Sequence, residues 1–376
     1  MKVLEFIKEH ENWEELLAQE PYFIKTVRDG HYFLLRYNQL ASDFTNEIVR
    51  ECRGAIFYEA PTKEVKPVCV PFYKFGNYGE SYVPEIDWAS ASVKEKVDGS
   101  LMKVWRHNGE WHISTNNTID ARKAESQVEG RSFYDVFMTA LENAGDPHDF
   151  FNSLDPHLVY MFELVSPETR VTIAYPDTKI YYLSARDMTT LKEVSYFPQI
   201  DLAFFEMPKT YPLQSLTECI EAAAKMGADE EGFVVCDKYF NRVKVKSMEY
   251  LLASKVRNNN VITVKRIVEA MRAGVIDDFY AYAPDYQDYV DSILNAYADI
   301  AKELEATWQH LVKHLSPLES KKDLAMAIRT FSKVDRGFCF MMYDHGGLYN
   351  AHTFLEQLPR STIVELIKEK LETNNE

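Results

Sequence analysis

The sequence predicts an α+β domain built on antiparallel sheets, followed by an all-α domain, and two observations carry this reading. The first 250 or so residues alternate short apolar runs with two-residue turn signals. From Tyr289 onward the apolar residues fall three and four apart instead, as on a helix. With 376 residues the chain is long enough for two domains, each with its own core. We expect a division at 1–250 and 251–376.

Tyr22–Arg28 and His31–Tyr37 flank Asp29-Gly30, a hairpin signal, and Leu101–Arg106 and Glu110–Ser114 flank Asn108-Gly109, a second one. Further strands are expected at Leu158–Val165, Lys179–Ser184, Gly232–Cys236 and Arg242–Val245, with helices at Ser132–Asn143 and Leu216–Met226. In the tail, Val290, Ile293, Tyr297, Ile300, Leu304, Trp308 and Leu311 form one helical stripe. Thr362 and Glu365 match a capping box before a last helix through Leu371.

Composition excludes several classes. No apolar run approaches 18 residues, so no membrane span is expected, and the charged start offers no secretory signal. Five scattered cysteines without a CxxC pair point to a reducing cytoplasm rather than to disulfides or structural zinc. The net charge of −16 argues against a nonspecific nucleic-acid coat. Charge is nevertheless polarised. Between Arg242 and Arg272 eight basic residues face only Glu249 and Glu269, whereas between Ala273 and His310 eight acids face Lys302 alone.

The sharpest local feature is Lys96-Val97-Asp98-Gly99-Ser100, placed just before an apolar strand. Alone it is weak: average residue frequencies give on the order of 0.1 chance K-x-D-G matches in a chain of this length. A neutral lysine amine at a strand edge is able to attack phosphorus, whereas an exposed lysine before a D-G turn does no chemistry. Phe162-Glu163-Leu164-Val165 sets a carboxylate inside an apolar strand, either aimed into a site or turned to solvent. Glu231-Gly232-Phe233-Val234-Val235 repeats the pattern. Val243-Lys244-Val245-Lys246 places two ammonium groups on one strand face, where they hold an anion or meet solvent.

In this order the segments resemble motifs of the covalent lysine–NMP nucleotidyltransferases, which include DNA ligases, RNA ligases and mRNA capping enzymes. Lys96–Ser100 resembles motif I, Phe162-Glu163 motif III, Lys179–Ser184 motif IIIa, Glu231-Gly232 motif IV and Lys244–Lys246 motif V. Glu51-Cys52-Arg53-Gly54 and Lys74-Phe75-Gly76-Asn77 are similar to blocks of the bacteriophage T4 RNA ligase 1 family, as is Ser166–Val171 with Ala174-Tyr175. The resemblance runs from about Arg50 to Ser247. It departs at Ser114-Thr115-Asn116-Asn117-Thr118, a position that is usually basic, so a ribose or RNA contact through a cation is not expected from that strand.

The resemblance implies a nucleotidyltransferase fold of the DNA-ligase, ATP-grasp-like type and an ATP-dependent RNA ligase, active in RNA or tRNA repair. Lys96 would carry AMP, and Glu95, Gly99, Arg53 and Lys74 would contact the nucleotide. Lys244 and Lys246 would cradle the α-phosphate, and Phe233 would pack on adenine unless it serves the core. Asp98, Glu163 and Glu231 would hold Mg²⁺ through water, with Mn²⁺ as a substitute. Implied partners are RNA with 5′-phosphate and 3′-OH ends, cleaved tRNA among them, and a polynucleotide kinase-phosphatase. From the charge map, Lys255, Arg257, Lys265 and Arg266 are expected to contact RNA, with the acidic helix Asp285–Glu305 turned away. A DNA ligase or GTP-using capping enzyme shares these motifs but usually continues into a small β-barrel. A non-catalytic sensor of nucleotides or RNA ends would not need all five charged residues together.

Overall fold

The computed structural model describes residues 1–39, 41–194, 202–227, 229–247, 263–273, 276, 287–315 and 320–373. By contacts the chain divides into two compact units. One comprises Met1–Glu14, Ile24–Tyr37 and Asp43–Asn259; the other comprises Glu15–Phe23, Asn38–Ser42 and Asn260–Glu376. The boundary expected after residue 250 lies outside the described residues. Two N-terminal segments thus group with the helical unit, a pairing that no linear division expresses.

The first unit opens with α1 (Lys2–Glu9) and α2 (Trp13–Leu17), the latter running on into the second unit. A first sheet, in the order β1-β2-β3-β4, comprises β1 (Ile24–Asp29), β2 (Tyr32–Tyr37), β3 (Arg53–Glu59) and β4 (Val65–Cys69); α3 (Glu47–Glu51) precedes β3. Both turn signals close hairpins. Asp29 pairs with Tyr32, and His107 pairs with Glu110 across Asn108-Gly109, whose positive φ values of 52° and 87° suit a tight turn.

The next strands are β5 (Ser92–Glu95), β6 (Ser100–His107) and β7 (Glu110–Thr115), followed by α4 (Phe133–Ala144) and α5 (Pro147–Ser153). Ser132 caps α4 through a full capping box with Asp135. Then come β8 (Leu158–Val165), β9 (Lys179–Asp187), β10 (Lys192–Val194), β11 (Thr210–Tyr211), α6 (Leu216–Ala223), β12 (Gly232–Cys236) and β13 (Arg242–Lys246). A five-stranded sheet runs β10-β9-β8-β6-β7 and a four-stranded one β11-β5-β12-β13.

Alternation along β6 and β8 builds the centre of this unit. Met102, Val104, Tyr160, Phe162 and Leu164 turn toward α4 and α5 and meet Phe137 and Phe150. On the other face Trp105 and Val159 meet Leu34 and Ile56 of the first sheet. Burying such a side chain contributes ~1.5–3 kcal/mol, so these two layers fix where every cleft-facing residue of β6 and β8 stands. Behind β12 and β13, α6 adds Cys219 and Ala223 to a core of Val93, Val235, Val243 and Val245.

The second unit contains α7 (Val264–Ala273), α8 (Gln287–Leu315), α9 (Lys321–Ala327), α10 (Lys333–Asp344), α11 (Ala351–Gln357) and α12 (Arg360–Thr373). The predicted stripe of α8, from Val290 to Leu311, is buried throughout. One expectation fails. The last helix begins at Arg360, its Ile363 N–H bonded to Pro359 O, so Thr362 lies inside it and is not a cap. Proline cannot donate, and the helix starts directly after it.

Candidate active site

Lys96 follows the last residue of β5, and its backbone N–H donates to Gly232 O over 2.8 Å. Beside it β5 pairs with β12, Glu95 opposite Phe233. Gly232 has φ +130°, and a Cβ there would sit 2.2 Å from Val245 O. Only glycine permits this approach, and the approach puts Glu231 next to Lys96. Lys96 Nζ donates to Glu231 Oε2 over 2.6 Å, and Lys246 Nζ lies 3.2 Å from Glu231 Oε1. The carboxylate and the Lys246 side chain are almost wholly buried, whereas the Lys96 side chain is 20% exposed. Lys244 and Lys246 share one face of β13, since Val243 and Val245 turn into the core. Lys244 Nζ stands 5.1 Å from the Phe75 ring centroid.

Glu163 projects from β8 opposite Leu101 and Tyr181, on the face away from α4. Burial pushes it up to about 7; Lys96 opposes that rise, and Glu231 adds to it. Asp98 is held above the usual carboxylate range by burial and then by Glu231. Its Oδ2 accepts the Thr172 and Ile173 N–H groups at 2.8 and 2.6 Å, and its own N–H donates to Tyr175 OH at 3.2 Å. Asp98 therefore ties the motif I loop to segment 170–175, a clamping role that the sequence did not suggest. Gly99 completes the loop, since a Cβ there would meet Leu164 O at 2.4 Å.

These carboxylates fit a hydrated cation better than a directly bound one. Among the described residues no three His, Cys, Asp or Glu side chains form a metal-holding group. Glu231 already takes two ammonium groups and Asp98 two backbone N–H groups. Burial is the main reason both Glu163 and Asp98 are raised, with Glu231 adding to each.

Arg53 opens β3, its guanidinium 4.7 Å from the Phe72 ring centroid, with Nη1 buried and lacking a hydrogen-bond partner. Glu51 of the same block serves the fold elsewhere, since its carboxylate accepts the Lys2 and Val3 N–H groups at the start of α1. Lys74 is buried, its Nζ 4.6 Å from the Phe44 ring centroid. Glu95 Oε2 accepts the Lys209 N–H at 3.3 Å. Phe233 requires correction: it is 1% exposed, in the core edge-on to Tyr211, so no base stacks on it. Tyr181 is the half-buried aromatic opposite Glu163, and the strand alternation of Lys179–Ser184 was the signal for it. Lys265 is exposed on α7; Lys255, Arg257 and the side chain of Arg266 lie outside the described residues, as does the start of the expected acidic helix. Arg242 is not a free cation, because Glu193 holds it in a two-pronged pair of 2.6 and 3.0 Å.

The profile of the RNA ligase family matches residues 51–250, which include every residue of this site. A putative bifunctional polynucleotide kinase/RNA ligase of Autographa californica nuclear polyhedrosis virus is 30% identical over 290 residues, 73% of this chain and 40% of that protein. The chain thus spans well under half the length of that relative. An RNA ligase of Rhodothermus phage RM378 is 24% identical, with 84% of this chain and 85% of that protein aligned. An archaeal ATP-dependent RNA ligase structure covers 92% of this chain and 80% of its own at 13% identity and a TM-score of 0.43.

Proposed function

Because the chain belongs to the RNA ligase family, of the T4 RNA ligase 1 type, we propose that it is an ATP-dependent RNA ligase with Lys96 as its AMP carrier. The observation that carries this reading is the lysine pair Lys96 and Lys246 closed on the single buried carboxylate of Glu231. Such an arrangement holds a nucleophile in place and keeps a second cation ready for the phosphate that approaches it.

Lys96 Nζ, once it has given up its proton, attacks the α-phosphorus of ATP; a P–N bond forms, the bond from the α-phosphorus to the bridging oxygen breaks, and pyrophosphate leaves. AMP then passes to the 5′-phosphate of RNA, and the 3′-OH of a second end displaces AMP to form the phosphodiester. Lys244 and Lys246 face the phosphate as its charge builds, while Tyr181 offers the base a flat surface beside Glu163. A bound divalent cation, Mg²⁺ or Mn²⁺, would neutralise the leaving pyrophosphate, with Glu163 foremost in holding its water shell. The proposed partners remain RNA ends, cleaved tRNA included, and a kinase-phosphatase that prepares them, with the cytoplasm as the setting (the host's, if the chain is phage-encoded). No helix among the described residues is long and apolar enough to cross a membrane.

The test is incubation with α-labelled ATP and Mg²⁺, wild type beside Lys96→Ala. An acid-labile adduct on the wild type alone is expected, followed by sealing of RNA but not DNA ends. No adduct on the wild type would end the proposal.

A further inference from the structure

One fully buried ammonium stands outside the reaction described above. Lys103 lies on β6 with no exposed surface, and its Nζ donates to Gly54 O. Met102 and Val104 turn toward α4, so Lys103 shares the opposite face with Leu101 and Trp105. Across the ladders it is paired with Met161 on β8 and with Ser114 on β7, on the same face as Glu163.

Gly54 is the meeting point. Its φ is +75°, and a Cβ there would lie 2.7 Å from Asn116 O and 3.1 Å from Lys103 Nζ. The residue before it is Arg53, whose Nη1 is buried without a hydrogen-bond partner; Asn116 Oδ1 is buried and unpartnered as well. Burial brings Lys103 down to about 8, with Arg53 acting in the same direction, so the two cations sense each other. Among the described residues no carboxylate lies within ion-pair distance of either, although Glu163 feels the Arg53 charge. A buried ammonium beside a half-buried guanidinium favours an anion close by, and unpartnered polar atoms beside the two cations are places where a ligand could bond.

We propose that Lys103 is a positioning residue that supplies, from beneath Gly54, the positive charge missing from Ser114–Thr118. It fixes the Arg53–Gly54 peptide and the Asn116 loop so that both hold a phosphate-bearing ribonucleotide. This rests on the nucleotidyl-transfer reading above. A cation is nonetheless present in space one strand away from Ser114–Thr118, on β6, where a reading of that segment alone does not find it. The phosphate belongs either to ATP or to an RNA 5′ end, and the two arms of the experiment separate them.

Three variants decide the matter: Lys103→Met, the same change combined with Asn116→Lys, and Asn116→Asp. Each is assayed in two arms, one giving the ATP KM of Lys96 adenylylation. The other gives the RNA KM, with 5′-phosphorylated ends and enzyme already adenylylated. Lys103→Met should raise one KM about tenfold with kcat nearly unchanged, the loss of one charge-assisted contact. Asn116→Lys in that background should restore most of it, because the charge returns just past the end of the neighbouring strand. Asn116→Asp sets a carboxylate beside the two cations and should raise the same KM, and it decides the case if Lys103→Met does not fold. Wild-type KM values in both arms for Lys103→Met or Asn116→Asp overturn the proposal. So does a KM defect that Asn116→Lys leaves uncorrected, which would make Lys103 only a prop for Gly54. If the wild type forms no lysyl-AMP, the underlying reading fails; if it does and the variants match it, only this inference fails.

Discussion

Lys96 Nζ donates to Glu231 Oε2 over 2.6 Å, and the residue after that glutamate accepts the Lys96 backbone N–H over 2.8 Å. Side chain and main chain of the nucleophile are thus held by two consecutive residues of one strand end. Glu231→Gln keeps the shape but removes the charge shared by Lys96 and Lys246. Adenylylation should fall about 10²-fold, and the midpoint of denaturant unfolding should reveal a loss of ~2–4 kcal/mol, since a buried ion pair broken on one side is costly. Normal adduct formation by this variant would deny Glu231 its role.

Gly232→Ala tests the backbone half of the same arrangement. The added Cβ would be 2.2 Å from Val245 O at a φ of +130°, a strain of about 1–3 kcal/mol before any steric clash is counted. Lower thermal stability and loss of the adduct should appear together. Stability lost with adduct formation intact would show that the strand end does not set the nucleophile.

Glu163 gives a pH signature. Its folded value of about 7 stands above the 4.5 of a free glutamate, raised chiefly by burial. The folded state therefore binds this proton more tightly than the unfolded chain does. The resulting stability is complete below about pH 4.5 and is lost as pH rises through 7. Without nucleotide or metal, the melting temperature of wild type relative to Glu163→Gln should decline between pH 5 and 8. Parallel curves would contradict this. Magnesium should flatten the decline by holding the ionised form.

Asp98 should act as a latch on segment 170–175. In Asp98→Ala the Thr172 and Ile173 N–H groups lose their acceptor. Opening should then become easier, and trypsin should cut after Arg170 about tenfold faster, as loss of one or two bonds to a charged group implies. Unchanged cleavage would show that other contacts hold the loop.

β8 is legible from an apolar run broken only by Glu163 and β12 from the run that follows Gly232, whereas β3, β4, β5, β10 and β11 carry no run or turn signal strong enough to name them from sequence. Lys96, Glu231 and Lys246 were legible as types in order, yet their mutual contact was not, because pairing between β5 and β12 is tertiary. Of the two roles open to Phe233 the core is the one observed: Gly232, at φ +130°, breaks the regular alternation between Glu231 and Phe233, and the ring packs with Val93, Val235 and Val245. Lys103 was overlooked although a lysine inside Leu101-Met102-Lys103-Val104-Trp105 is itself a signal. Its meaning came from Gly54, 49 residues earlier in sequence. Thr362 matched a capping pattern that Pro359 overrode.

The pairing of β5 with β12 has one more consequence, for how activity is lost. A slip of one residue between these strands would bring Val97, now buried, to the place of Lys96 and turn the lysine to the opposite side. There is no intermediate alignment in which the amine stays close to its carboxylate. Damage to this ladder by heat, mutation or truncation should therefore yield mixtures of fully competent and fully inert molecules, rather than a uniform population of slow ones. Titration of adduct-forming sites against total protein would count the two kinds directly.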